Sequence, residues 1–293
     1  MPRLLDPRPV SFVIQGKQFA GELWGNDSAM PVIALHGWLD NCHSFRPMAP
    51  HLESIQLLAL DMAGHGHSEH RSADASYHIW DDVREILMIA NEMGWQQFSL
   101  LGHSRGAIIA TLIAAVAPER IQGMVLLEGI WPQTMTEQEA PAQLTSFVQR
   151  YLSFDGVEKG YKNLDDMVHT RMQGAFALNE PAARLLVERN MEARDGFYYW
   201  RTDPRLLMPS PVMLTVKEVE SFINTVQCQS LLLVASEGLG KNIDFLRPKL
   251  DFRSGLAWAC LEGGHHLHLE GSVHEVAERI SHFLYASRKG SGL

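Results

Sequence analysis

A serine, a group of histidines and several carboxylates follow one another along this 293-residue chain in an order suited to nucleophilic catalysis. Ser104 lies in Gly102-His103-Ser104-Arg105-Gly106, between an apolar run ending Leu100-Leu101 and the small-residue run AIIATLIAAVA. That succession reads as strand, tight turn and helix, with the serine at the apex of a strained turn near a helix N-terminus. Glycines at 102 and 106 leave room for the helix to close on the strand. A serine hydroxyl is a weak nucleophile at neutral pH and needs a base within reach, itself oriented by a carboxylate. Candidates occur at Glu128 in Leu-Leu-Glu-Gly, at Glu237 in Ser-Glu-Gly, and at the histidines of Gly263-Gly264-His265-His266-Leu267-His268. Together these would carry acyl transfer through a serine ester.

The elements that must position these residues are legible from periodicity. Val10–Gly16 and Gln18–Trp24 alternate apolar and polar residues across a Gly-Lys turn, which predicts an antiparallel hairpin at a sheet edge. Continuous apolar runs at 31–35, 55–60, 121–127, 229–234 and 256–261 have the length and character of strands buried on both faces. Helical spacing marks Tyr77–Gly94, with Gly94 as its C-terminal stop, and a closing helix at Val273–Ala286. A short helix is expected within Ser44–Leu52. Strand and helix alternate in the rhythm of a doubly wound, mostly parallel α/β sheet. The rhythm breaks from Trp131 to Val226, where amphipathic stretches at 137–152, 165–178, 181–194 and 215–226 predict an inserted helical lid. The expected domains are therefore a core at 1–130 and 227–293 and a lid at 131–226. Ligands of open parallel sheets bind beyond the carboxyl ends of the strands, which here deliver His36-Gly37-Trp38, Asp61, Ser104, Glu128, Glu237 and His265.

Composition excludes several classes. Apolar residues make up 46% and charged residues 20%, as in ordinary globular enzymes. A formal charge of −9 without a basic cluster argues against a nucleic-acid partner. Cys42, Cys228 and Cys260 show neither a disulfide framework nor metal-ligand spacing, so no metal is expected. No stretch reaches the length of a membrane span, and the first residues lack a secretory apolar core. A cytoplasmic protein is expected, either monomer or homodimer, acting on a small-molecule substrate.

HGWLDN at 36–41, DMAGHGHS at 61–68, GHSRG at 102–106, LLEG at 126–129 and GGHHLHLE at 263–270 together resemble a lidded α/β-hydrolase, most similar to the serine hydrolase-like group. The five motifs occur in the family's order and span the core, about two thirds of the chain. RTDPRLLMPSP and TVKEVESF resemble that group's lid less distinctively. The resemblance implies Ser104 as nucleophile, His265 as base because it follows the glycine pair, and no cofactor. It implies structural roles for His266 and His268.

One departure from the pattern concerns the acid. Most members carry an aspartate after the strand that here runs into Ala-Ser-Glu-Gly-Leu-Gly at 235–240, and Leu239 occupies that place. Glu128, at a position some lidded relatives use, is the first candidate, Glu237 the alternative and Asp244 a distant third. The tetrahedral oxyanion would be met by the backbone N–H groups of Trp38 and Arg105. Gly37, Trp38, His103 and Trp131 are expected to contact substrate. The resulting expectation is hydrolysis of a small, largely apolar carboxylic ester or thioester. A carbon–carbon bond hydrolase of the same fold, or a slow ligand-binding relative, is the alternative. Dehalogenase and epoxide-hydrolase chemistry uses an aspartate nucleophile in this fold, so Ser104 argues against both.

Overall fold

The computed structural model describes residues 6–242 and 255–290, so Asp244 lies outside the described residues. Among the described residues, eight strands form one sheet: β1 (Arg8–Ile14), β2 (Lys17–Trp24), β3 (Met30–Leu35), β4 (Ile55–Leu60), β5 (Phe98–His103), β6 (Ile121–Leu127), β9 (Gln229–Ala235) and β10 (Leu256–Leu261). Their order is β1-β2-β4-β3-β5-β6-β9-β10. The β1/β2 hairpin is antiparallel at one edge, β2 runs antiparallel to β4, and every later pairing is parallel.

Both faces are covered, which explains why the central strands are mostly apolar on both sides, with few polar residues such as Gln56 and Ser99. On one face, α1 (Ile79–Glu92) and α2 (Arg105–Val116) bury Ile86, Ile89, Ile109 and Ile113 against Ile33, Leu58, Leu100 and Leu126. On the other, the last helix α7 (Val273–Gly290) and the turns after β3 bury Val276, Ile280, Phe45 and Met48 against Val32, Leu57, Val125 and Leu233. Gly94 closes α1 with φ 70°, as its spacing predicts. The short helix expected within 44–52 is instead two 3-10 turns, Cys42–Phe45 and Ala49–His51. Pro47 and Pro50 lack the amide hydrogens that a continuous helix needs there.

Between β6 and β9, residues 131–226 hold α3 (Ala140–Leu152), α4 (Leu164–Met172), α5 (Glu180–Asn190) and α6 (Val216–Thr225). They also hold a hairpin absent from the sequence expectation, β7 (Met191–Arg194) with β8 (Phe197–Trp200). The helix predicted to run to Arg194 stops at Asn190, and Asp195-Gly196 turns the hairpin with φ 52° and 77°. Asp-Gly after the alternating Met-Glu-Ala-Arg and before the aromatic Phe-Tyr-Tyr-Trp is a two-residue hairpin signal. A small separate core of Met167, Val168, Leu186, Val187 and Tyr161 holds α4, α5 and the hairpin together. No helix among the described residues is long and apolar enough to cross a membrane.

Candidate active site

β5 delivers Ser104 to the carboxyl edge of the sheet. Its backbone has φ 51° and ψ −115°, outside the regions that L-residues favour, so the turn stores strain at this serine. The amide of Ser104 donates to Leu127 O at 2.8 Å, which ties the turn to β6. A Cβ at Gly102 would strike the backbone of Gly106 and Ala107, and one at Gly106 the carbonyls of Leu35 and His36. Only glycines allow α2 to start this close to the strands beneath it.

Directly after β6 comes a second strained residue of the edge, Glu128, with φ 53°. Its buried carboxylate crosses to the loop after β9 and accepts the backbone amides of Ala235 at 2.6 Å and Leu239 at 3.0 Å. His265 Nδ1 lies 3.0 Å from Glu128 Oε2. A carboxylate offers no hydrogen there, so Nδ1 carries the proton and Nε2 is left as the basic nitrogen. Gly238 makes the arrangement possible, because any Cβ at that position would collide with the Glu128 carboxylate. The amide of Leu239, the residue standing where the usual aspartate is missing, thus receives a carboxylate sent from the neighbouring strand. Glu237 is exposed and pairs with Lys241 at 2.8 Å.

The loop after β3 carries Trp38. Met62 N–H donates to His36 Nε2 at 3.0 Å, so His36 Nδ1–H donates to Gly37 O at 2.7 Å. Leu39 N–H donates to His65 Nε2 at 3.3 Å, and His65 Nδ1–H to Ala63 O at 3.0 Å. Burial lowers both imidazole pKa values from the usual range, so each ring serves as a neutral donor–acceptor that fixes the loop from below. The side chain of Arg105 turns away from the edge to Asp82 Oδ2 at 2.6 Å. His103 is fully buried. Its Nε2–H donates to the carbonyl of His265 at 2.9 Å, and burial beside His268 and His266 pushes its pKa well down.

A cavity of about 320 Å³ lies between this loop and the insertion, walled by Trp38, Leu39, Phe176, Trp200, Pro204 and Leu207, with Arg171 and Thr170 among its polar lining. Of the residues expected to contact substrate, Trp38 lines this cavity. Gly37 is buried facing His103 and Asp40, and Trp131 packs half-buried against the core. Trp38 Nε1 donates to Leu206 O at 3.0 Å, tying this loop to the insertion. Phe176, on the loop after α4, stacks on the His265 ring with centroids 3.7 Å apart and 16° between planes. Sequence reasoning missed Phe176 and Arg171. Both occupy an amphipathic stretch whose pattern fits any helix packed on a core, so nothing local marks them.

Among the described residues, two buried groups have metal-ligand residue types, Asp40 with His103 and His266, and Glu22 with Cys42 and His43. In each the carboxylate already faces an arginine, Arg171 at 2.6 Å from Asp40 and Arg46 at 3.0 Å from Glu22.

The model of the α/β-hydrolase fold family matches residues 30–170. A hypothetical protein of Pseudomonas aeruginosa, known as a crystal structure, is 39% identical over 94% of this chain and 98% of its own, with a TM-score of 0.89. A serine hydrolase-like protein of Dictyostelium discoideum is 27% identical over 93% of this chain and 80% of its own. One of Danio rerio is 26% identical over 91% and 85%.

Proposed function

Because the chain belongs to the α/β-hydrolase fold family, we propose that it is a serine hydrolase cleaving a small, largely apolar carboxylic ester or thioester through an acyl-enzyme, with residues 131–226 as its lid. The observation that carries this reading is the pairing of half-buried His265 with buried Glu128 at 3.0 Å, on the strand edge that also presents the strained Ser104. Its relatives named serine hydrolase-like proteins support the same class of chemistry.

In this reading His265 Nε2 removes the Ser104 proton as the oxygen attacks the acyl carbon. Glu128 holds the Nδ1–H tautomer and stabilises the imidazolium that forms, without itself taking the proton. The backbone amides of Trp38 and Arg105 receive the oxyanion, and α2, starting at Arg105, adds a favourable partial positive charge. His265 then returns its proton to the leaving alcohol or thiol, and water repeats the sequence on the acyl-enzyme. A cavity of about 320 Å³ walled by Trp38, Phe176, Trp200 and Leu207 suits an acyl group of modest size.

Incubation with a fluorophosphonate followed by peptide mapping tests the proposal. Labelling is expected at Ser104, slowed at least 100-fold in His265→Ala. Labelling elsewhere, or at an unchanged rate in that variant, overturns it.

A further inference from the structure

The site brings together two loops that the sheet does not join. Trp38 lies on the loop after β3 and His265 on the loop after β10, and β5, β6 and β9 separate those strands. What spans the gap is one buried carboxylate. Asp40 turns back on its own loop, its backbone N–H donating to Gly37 O at 3.2 Å, and its Oδ2 lies 3.2 Å from His266 Nε2. His103 Nδ1 is 3.7 Å from the same oxygen, while the other nitrogen of that ring holds the His265 carbonyl. Asp40 Oδ1 accepts from Arg171 Nη2 of α4 at 2.6 Å. A Cβ on Gly37 would crowd both Asp40 Oδ2 and His103 Nδ1 at 2.9 Å, so the approach depends on glycine there.

Resting on the hydrolase reading above, we infer that Asp40 is a positioning residue: it clamps the His265 loop to the Trp38 loop, and Arg171 makes that clamp depend on the seating of the insertion. The geometry explains a carboxylate that is 1% exposed and touches neither Ser104 nor Glu128 in any hydrogen bond among the described residues. Phe176, on the loop that follows Arg171, stacks on His265, so the insertion meets the histidine at two linked points. Small displacements of a base from its nucleophile and oxyanion donors reduce the rate of the chemical step more than they weaken substrate binding.

Steady-state hydrolysis of p-nitrophenyl butyrate by Asp40→Asn, His266→Gln and the double variant tests the clamp, with wild-type fluorophosphonate labelling at Ser104 as the separate check on the hydrolase reading. Each single variant is expected to lose about 30- to 100-fold in kcat with KM within about threefold, and the double variant to lose no more than the worse single. Arg171→Met, which leaves the Asp40–His266 contact in place, keeps the readout available if Asp40→Asn does not fold. It is expected to lose about tenfold in kcat, and its effect to vanish in the His266→Gln background. Multiplicative losses in the double variants, or a lower melting temperature with unchanged kcat, overturn the inference even where Ser104 labels normally.

Discussion

The carboxyl edge of the sheet and the seam between the sheet and the insertion are both polar and largely buried, yet they are held in different ways. At the edge, backbone supplies the partners. Glu128 is fixed by the amides of Ala235 and Leu239, Ser104 by Leu127 O, and the Trp38 loop by histidines bonded to backbone groups. At the seam, long side chains reach across: Arg189 to Asp61 at 2.8 Å, Arg171 to Asp40, Arg201 to Gly66 O at 2.9 Å, and Tyr77 OH to Asp203 at 2.7 Å. Strand register sets the first group, whereas the second rests on the rotamers of long side chains. Backbone-held and side-chain-held polar contacts thus coexist in one chain.

The difference breaks most visibly at Glu128. Glu128→Gln keeps the shape but places an amide where two backbone N–H groups and the His265 Nδ1–H all require an acceptor. We expect kcat for ester hydrolysis to fall about 10³- to 10⁴-fold, by loss of the tautomer and of imidazolium stabilisation. Glu237→Gln, at the exposed Lys241 pair, should leave kcat within about twofold. Equal losses in the two variants would remove Glu128 from the site.

How far the sequence reveals this architecture follows the same division. The strands, the elbow and the glycine pair are legible because each is a local pattern: a fully apolar run, a G-x-S-x-G turn, a helix of small residues. Glu128 stood out because a carboxylate at the end of a buried strand has no local structural reason to be there. Its reach to Leu239 N is a contact across 111 residues and left no trace in spacing. Asp40 and His266 were visible as letters within motifs, but their contact spans 226 residues and could not be read. Within the insertion, helical periodicity was correct for Ala140–Leu152 and Val216–Thr225. It overran Asn190 because Met191–Arg194 continues an apolar–polar pattern that a strand can also use, and only the Asp-Gly turn distinguishes the two.

At the seam the comparison sharpens as stability rather than rate. Arg189 and Asp61 are 8% and 0% exposed. Asp61 also accepts the amides of Cys42 and His67 at 2.8 Å, so the carboxylate cannot leave when its cation is removed. Arg189→Met should therefore cost about 3 kcal/mol in urea unfolding at pH 7, the penalty of a buried charge without its partner. Arg184→Met, at a solvent-facing pair with Asp165 and Glu180, should leave the midpoint where it is. A midpoint unmoved by Arg189→Met would mean that the seam contributes nothing to holding the insertion on the sheet.

The smallest effect lies next to it, at Glu22 on β2. Burial opposes its charge, but His43 at 3.3 Å and Arg46 at 3.0 Å outweigh it and hold the carboxyl pKa down at about 2, against 4.5 for the free side chain. A pKa lowered by folding means that the unfolded chain takes up the proton first as the medium becomes acid. The stabilisation is therefore complete above pH 4.5 and drains away between there and pH 2. Allowing for solvent around Arg46, it amounts to roughly 2 kcal/mol at neutral pH. Melting curves of the wild type and Glu22→Gln from pH 7 to pH 3 isolate it. The wild type should melt higher at pH 7, and the gap should narrow steadily below about pH 5. A gap that stays constant to pH 3 would show that Glu22 acts by shape and hydrogen bonding alone, with its charge contributing nothing to the seam.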